Sequence, residues 1–182
     1  WGGDERQPYK DLYSLMPSDA KANSTKSNYG MGVVTKATYD NGVIKVGTGD
    51  SGKKLWQPYP EWQGDFPRAY LYMATCYQDY AWVKEGLNSL ETGDYPTLQK
   101  WASDLYIKWA KQDPVSDLEA KRNNIVYSIQ GNRNPFIDFP NLMEYIWGDS
   151  ISYEFDPATT VVTKQVVPEN SMMCIYLASY KD

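Results

Sequence analysis

Apolar positions recur every three to four residues through the middle of the chain, which is the spacing of amphipathic helices. This pattern predicts helices over residues 65–91 and 97–111. Ser116 and Glu119 form a capping box that begins a third helix, which is predicted to end near Gln130. The apolar stripe of the 97–111 helix, which we expect to face the core, consists of Leu98, Trp101, Leu105 and Trp109.

Alternating and β-branched residues predict strands in two regions of the chain. Residues 33–39 and 43–47 are predicted to pair as a hairpin, because the segment Asp40-Asn41-Gly42 between them is a typical turn sequence. Residues 48–64, which contain Gly, Pro and Trp, are predicted to form an ordered loop. Near the C-terminus, the predicted strands cover residues 151–155, 159–167 and 172–180.

Two short helices complete the predicted elements. Ser18 is the predicted N-cap of a helix over residues 19–27, and a second short helix is predicted to end at Trp147. A chain of 182 residues has the length of one domain. We therefore expect residues 1–148 to form the domain and residues 149–182 to be a β extension that packs on it.

Composition excludes several classes of protein. Apolar residues make up 42% of the chain and aromatic residues 15%, which is enough for a sizeable core and excludes a disordered chain. No apolar stretch reaches the length of about 18 residues that predicts a membrane span. The net charge of −5 disfavours a large basic surface for nucleic acid, but the acidic residues gather toward the C-terminus, so a local basic groove in the first half remains open. Histidine is absent, so these residues alone cannot complete a mechanism that needs an imidazole.

Aromatic residues and cysteines suggest further candidates. Trp56, Tyr59 and Trp62 lie in the predicted loop, where exposed rings would suit a ligand. The two cysteines, Cys76 and Cys174, each lie in an apolar run, which favours buried thiols over a disulfide.

Four segments carry a more specific resemblance. The segments are DLYSLMPSD (11–19) followed by ANSTKSNY (22–29), DFPRAYLYMATCY (65–77), PVSD (114–117) and IQGNRNPFID (129–138). In this order they resemble segments of the bacterial endonuclease I family of secreted and periplasmic nucleases, and the resemblance covers about residues 1–148.

The resemblance implies a fold and a chemistry. The implied fold is α+β: a ββα-metal (His-Me finger) nuclease core with several helices and a C-terminal β tail. In that family a His activates the water that attacks the phosphodiester, and a divalent ion stabilises the charged phosphate. We therefore expect Mg²⁺, with Ca²⁺ as an alternative, and cleavage of DNA, with RNA as an alternative, largely without sequence preference. A monomer that is secreted or periplasmic is expected, and the location rests on the family alone.

The resemblance also places site residues on this sequence. Asn23 falls on the family's metal ligand, and an amide oxygen is a suitable ligand for a hard cation. Lys26 and Arg68 fall where phosphate contacts are expected. Arg133 has two interpretations, a phosphate contact or a side chain that holds a turn. The residues expected to support the site structurally are Asn132, Asn134 and Asp11.

One family motif is missing from these residues. In the family, the Glu-His-x-x-Pro motif supplies the general base and lies upstream of the segment that begins at Asp11. Trp1 resembles the last residue of the family region that carries this motif. The catalytic His is therefore expected upstream of Trp1, unless the protein lacks it. If it is lacking, the alternative function is an inactive secreted binding protein on a decayed nuclease scaffold, whose aromatic loop 56–62 would bind a glycan or a protein.

Overall fold

The computed structural model describes residues 7–80, 82, 88–91 and 97–163. Within these residues the architecture is α+β, as predicted, with seven helices and one four-stranded sheet. The helices are α1 (Gln7–Lys10), α2 (Ala20–Lys26), α3 (Asp65–Cys76), α4 (Lys100–Gln112), α5 (Asp117–Gln130), α6 (Pro135–Asp138) and α7 (Leu142–Trp147). The strands are β1 (Gly30–Met31), β2 (Lys36–Asp40), β3 (Ile44–Thr48) and β4 (Lys54–Pro58), and 3-10 turns cover Leu12–Ser14 and Pro60–Trp62.

The sheet has the strand order β1-β4-β3-β2, in which β1 is parallel to β4 and the other pairs are antiparallel. The predicted hairpin is confirmed as β2 and β3. Its turn is closed by the Asn41 side chain, whose Oδ1 accepts hydrogen bonds from the backbone N–H groups of Val43 and Ile44 at 3.0 and 2.9 Å. Gly42 has a φ of +78°, a conformation that glycine adopts without steric cost.

Strand β4 lies in the region 48–64, where only a loop is predicted. Its central residue Trp56 is 1% exposed, pairs with Val46 of β3, and packs edge-on against Phe66 with ring centroids 4.9 Å apart. The neighbouring Leu55 is also buried, because both faces of the sheet are covered at this point. A strand that is buried on both faces shows no polar–apolar alternation, so the sequence pattern does not reveal it.

Helix α5 agrees with its prediction, whereas α3 and α4 are shorter than predicted. Ser116 is the N-cap of α5, and its Oγ accepts a hydrogen bond from the backbone N–H of Glu119 at 3.1 Å. Helix α3 ends at Cys76, which is exposed, so the prediction of a buried thiol there is wrong. Cys174 lies outside the described residues.

The core forms where α3 packs against α4, α6 and the 3-10 turn Leu12–Ser14. The prediction that the apolar stripe of α4 faces the core is confirmed for Trp109, which is 4% exposed, and is wrong for Trp101, which is 39% exposed. No helix in the described part of the chain has both the length and the apolar character needed to cross a membrane. The buried face of α4 consists of Ala102, Tyr106, Ile107, Trp109 and Ala110.

The described part of the C-terminal extension contains turns in place of the predicted strands. Residues 151–155 and 159–163 make no strand pairing, and the third predicted strand, 172–180, lies outside the described residues. Phe155 anchors this segment through an edge-on contact with Phe139, at a centroid distance of 5.6 Å. Packing of single aromatic side chains on the helices therefore replaces the β-sheet pairing that the alternation predicts.

Candidate functional site

Helix α2 presents Asn23 on its exposed side. Asp19 is the N-cap, since its Oδ1 accepts a hydrogen bond from the backbone N–H of Ala22 at 2.8 Å, so the predicted cap at Ser18 is wrong by one residue. Ala22 is 3% exposed and forms the buried side of the helix. The side-chain amide of Asn23 makes no hydrogen bond within the part of the chain that the structure describes, and it is therefore accessible to a ligand.

Lys26 lies almost one helical turn after Asn23, on the same side of α2. Its ammonium is 5.3 Å from the centre of the Trp56 ring and donates a hydrogen bond to the carbonyl oxygen of Ser27 at 3.2 Å. Partial burial lowers the pKa of Lys26. Ser27, which ends the helix, has a φ of +48°, a region that serine seldom adopts.

Lys54 lies beside this pair, although the sequence does not single it out. Its ammonium is 5.6 Å from the centre of the Tyr29 ring. Lys54 and Trp56 are two residues apart on β4, so their side chains leave the same face of the sheet. We use the term α2–β4 face for Asn23, Lys26 and Lys54 together with the rings of Trp56 and Tyr29.

Asp11 anchors the chain that leads into α2. Its buried carboxylate accepts four hydrogen bonds. Oδ1 accepts from the Tyr13 backbone N–H at 2.8 Å and from the Gln130 side chain at 3.1 Å. Oδ2 accepts from the hydroxyls of Tyr72 and Tyr77, both at 2.7 Å. This arrangement satisfies a buried charge entirely by hydrogen bonding.

Arg122 of α5 holds the residues between Asp11 and α2. Its Nη2 donates hydrogen bonds to the carbonyl oxygens of Leu12 and Leu15, both at 2.7 Å. Its guanidinium also lies 5.7 Å from the centre of the Tyr13 ring. The start of α2 is therefore tied to α5, although α2 itself makes few contacts with the helices.

Asn132 and Asn134 lie in the turn between α5 and α6. The Nδ2 of Asn132 donates a hydrogen bond to the Tyr72 hydroxyl at 2.6 Å. The Oδ1 of Asn134 accepts from the Phe136 backbone N–H at 2.9 Å, and its Nδ2 donates to the Arg68 carbonyl at 3.0 Å. Both side chains thereby connect this turn to α3.

Arg68 does not lie at the α2–β4 face, and its predicted phosphate contact is wrong. Its exposed fraction is 0%, and all five of its N–H donors are used inside the protein. Nε and Nη2 donate to Glu119 at 2.7 and 2.6 Å, and Nη2 also donates to Asp65 at 3.0 Å. Nη1 donates to the carbonyl oxygens of Ala110 and Asp113 at 3.3 and 2.8 Å. Arg68 is buried because its guanidinium balances the charge of the buried Glu119 carboxylate.

Arg133 is likewise an internal residue, 3% exposed. Its Nε and Nη2 donate to the two carboxylate oxygens of Asp138 at 2.8 and 3.0 Å, and its guanidinium lies 5.8 Å from the centre of the Tyr127 ring. Of the two interpretations of Arg133, the structure therefore contradicts the phosphate contact and supports the turn-holding role.

The predicted exposed aromatic loop 56–62 is also wrong. Trp56 belongs to β4 and is buried, while Tyr59 and Trp62 are half-buried. The Tyr59 hydroxyl donates a hydrogen bond to Asp40 at 2.7 Å. Trp56 and Tyr59 therefore contribute to the sheet and its turn, which weakens the observation that favoured a glycan-binding surface.

Asn23 is the described residue that suits a cation at this face. No group of three or more His, Cys, Asp or Glu side chains that could hold a metal occurs among residues 7–80, 82, 88–91 and 97–163. Mg²⁺ takes few protein oxygens and keeps several waters, so one amide oxygen on an exposed helix suits it as part of a ligand set.

Comparisons with known proteins show similarity to nucleases. Residues 1–141 match the family described as Endonuclease I. The chain is 35% identical over 149 residues to an extracellular ribonuclease of Bacillus subtilis (strain 168), covering 80% of this chain and 49% of that protein. It is 26% identical over 128 residues to an extracellular deoxyribonuclease of Aeromonas hydrophila, covering 70% of this chain and 49% of that protein. The chain thus spans about half the length of the curated relatives it matches.

Proposed function

Because the chain belongs to the endonuclease I family, we propose that it acts in a metal-dependent endonuclease that hydrolyses phosphodiester bonds of nucleic acid. The observation that carries this proposal is the α2–β4 face, where the accessible amide of Asn23 lies three residues before Lys26 on the same helix. DNA is the proposed substrate and RNA the alternative, since relatives of both kinds are named. Contacts to the phosphate backbone carry no base information, so cleavage is largely nonspecific.

Two residues of α2 have distinct roles in this proposal. The Asn23 Oδ1 holds a divalent cation, with Mg²⁺ expected and Ca²⁺ as the alternative. When bound, such a cation stabilises the negative charge that develops on the phosphate and on the leaving oxygen. Lys26 donates a hydrogen bond to a phosphate oxygen, and the Trp56 ring beneath its ammonium limits the positions that this flexible side chain samples.

The general base comes from outside these residues in this proposal. The chain contains no histidine. Burial raises the pKa of both Tyr13 and Tyr77, so these phenols hold their protons at neutral pH and do not act as the base. We assign the base to a His of a Glu-His-x-x-Pro motif upstream of Trp1.

The relatives' names support a location outside the cytoplasm. The matched ribonuclease and deoxyribonuclease are both named extracellular. We propose that this protein is likewise secreted or periplasmic.

The test compares cleavage of plasmid DNA and single-stranded RNA by the longest native form of the protein, with Mg²⁺ and with EDTA. Asn23→Ala should lower the rate by about 100-fold or more, as expected when a group that positions a catalytic charge is lost. Asn28→Ala is the matched control, because Asn28 is an exposed amide beyond the end of the same helix. Calorimetric titration with Mg²⁺ should show weaker binding for Asn23→Ala alone.

Two results would contradict the proposal. Full activity of Asn23→Ala would show that Asn23 is not the metal ligand. A long form that cleaves neither nucleic acid with any divalent metal would exclude the enzyme and support the alternative, an inactive binding protein on a nuclease scaffold.

A further inference from the structure

Lysine ammonium groups lie over aromatic rings at several places on and beside the sheet. Their surroundings differ in charge. In the described part of the chain, one of these ammonium groups has a carboxylate oxygen within 4.0 Å, that of Asp40 beside Lys45, while the groups of Lys26 and Lys54 have none. The three pairs are Lys26 with Trp56 at 5.3 Å, Lys45 with Tyr59 at 5.2 Å and Lys54 with Tyr29 at 5.6 Å.

The two lysines that have no carboxylate partner within the described ranges, Lys26 and Lys54, belong to the same α2–β4 face. Trp56, which lies under Lys26, and Lys54 are alternate residues of β4, and the strand rise places them about 6.6 Å apart along the chain. Tyr29, which lies under Lys54, follows Lys26 by three residues. Lys26 and Lys54 therefore each lie over a ring of the α2–β4 face, and Asn23 is three residues before Lys26.

The aromatic rings give these two lysines an unusual order for surface side chains. A lysine side chain normally loses conformational entropy when it is fixed in one position. An ammonium over a ring is already restricted, while its N–H groups remain available to donate to phosphate oxygens. In a chain of net charge −5, two cations of one face that have no carboxylate partner among the described residues form a local basic site that suits a polyanion.

We propose that Lys54 binds the phosphate group adjacent to the one held at Asn23 and Lys26, and thereby sets how a nucleic-acid strand lies on the α2–β4 face. This inference rests on the proposed function. The contact is to the backbone, so it fixes the position of the strand without selecting bases. Lys54 is thus a second, separate point of attachment, and Lys45 is not one because Asp40 neutralises it.

The experiment measures binding of a fluorescently labelled single-stranded oligonucleotide by the longest native form of the protein, in EDTA and over a range of salt concentrations. Loss of one phosphate contact should reduce the slope of log affinity against log salt by about 0.7 to 0.9. For Lys54→Ala this corresponds to a loss of affinity that is about five- to eightfold larger at 0.1 M than at 1 M salt. Lys45→Ala, the matched control, should leave the slope unchanged.

A second pair of variants tests the role of the ring. Tyr29→Phe keeps the ring and should bind as the unaltered protein does, whereas Tyr29→Leu should bind more weakly with an unchanged slope. Circular dichroism confirms that each variant is folded.

The outcomes separate this inference from the proposed function. If the unaltered protein binds the oligonucleotide and Lys54→Ala has the same salt slope as Lys45→Ala, the inference is wrong and the proposed function stands. If the unaltered protein does not bind the oligonucleotide in EDTA but cleaves plasmid DNA with Mg²⁺, the inference is wrong and the proposed function stands. If it neither binds in EDTA nor cleaves with Mg²⁺, both fail.

Discussion

The carboxylate of Glu119 holds the guanidinium of Arg68 at two points, Oε1 to Nε at 2.7 Å and Oε2 to Nη2 at 2.6 Å. This buried ion pair joins the first turn of α5 to the first turn of α3. The same two helices carry Arg122, which binds the chain entering α2, and Tyr72, which binds Asp11. The pair thus supports the α2–β4 face from the core, without itself reaching that face.

Replacement of Arg68 by Ala should lower the free energy of unfolding by about 3–5 kcal/mol at pH 8, because Glu119 would remain buried without its cation. Urea denaturation followed by tryptophan fluorescence measures the effect. Lys100→Ala is the control, since Lys100 pairs with Asp104 on the exposed surface of α4 and should change stability by less than about 0.5 kcal/mol. If Arg68→Ala folded with normal stability but no longer bound nucleic acid, the result would support the phosphate contact that the sequence predicts for Arg68.

The contribution of Glu119 to stability should depend on pH. Burial raises the pKa of Glu119 from its ordinary value of 4.5 to about 7, against the attraction of Arg68. Between these values the folded chain keeps a proton that the unfolded chain has released. The free energy of unfolding due to this group therefore falls as the pH rises from about 4.5 to about 7, by up to about 1.4 kcal/mol per pH unit.

Glu119→Gln, whose side chain does not ionise, isolates this effect. Arg68, Asp65 and Asp113, the charged groups nearby, are present in both proteins. The stability of the unaltered protein minus that of Glu119→Gln should therefore decline over the same pH range. A difference that stays constant from pH 4.5 to pH 7 would contradict the raised pKa.

The sequence predicts those elements whose stabilising contacts are local. The turn of the β2–β3 hairpin depends on Asn41 and Gly42, and the start of α5 on Ser116 and Glu119, so each acts within four residues. Strand β4 depends on burial from both sides of the sheet by distant parts of the chain, and no local pattern carries that information.

The candidate site divides in the same way. Asn23 and Lys26 are neighbours on one helix, so a sequence motif can identify them together. Arg68 resembles a surface residue in the sequence, because its partner Glu119 lies 51 residues away. Lys54 becomes a candidate only when folding places it over Tyr29, and a pair of lysines alone is too short to indicate a basic surface.

The buried carboxylate of Asp11 should stabilise the fold through its charge. Asp11→Asn keeps the shape, but it removes the charge and places an NH2 donor where one carboxylate oxygen accepts two hydrogen bonds, so we expect a loss of about 1.5–3 kcal/mol in the free energy of unfolding. Tyr77→Phe removes one donor and should cost about 1 kcal/mol. The double variant should be less destabilised than the sum of the two, because both changes affect one bond. Additive losses would show that the Tyr77 hydroxyl and Asp11 act independently.

The N-cap of α2 gives the sharpest distinction between the sequence prediction and the structure. Asp19→Ala should cost about 1 kcal/mol, because its carboxylate accepts the hydrogen bond from the Ala22 backbone N–H. Ser18→Ala should change stability by less than about 0.5 kcal/mol, since the Ser18 hydroxyl makes only an exposed contact with the Asp19 carbonyl at 3.4 Å. Hydrogen exchange of the Ala22 amide should be faster in Asp19→Ala and close to normal in Asp19→Asn, which keeps an acceptor. If Ser18→Ala had a larger effect on that amide than Asp19→Ala, Ser18 would be the N-cap of α2. The helix that carries Asn23 would then begin one residue earlier.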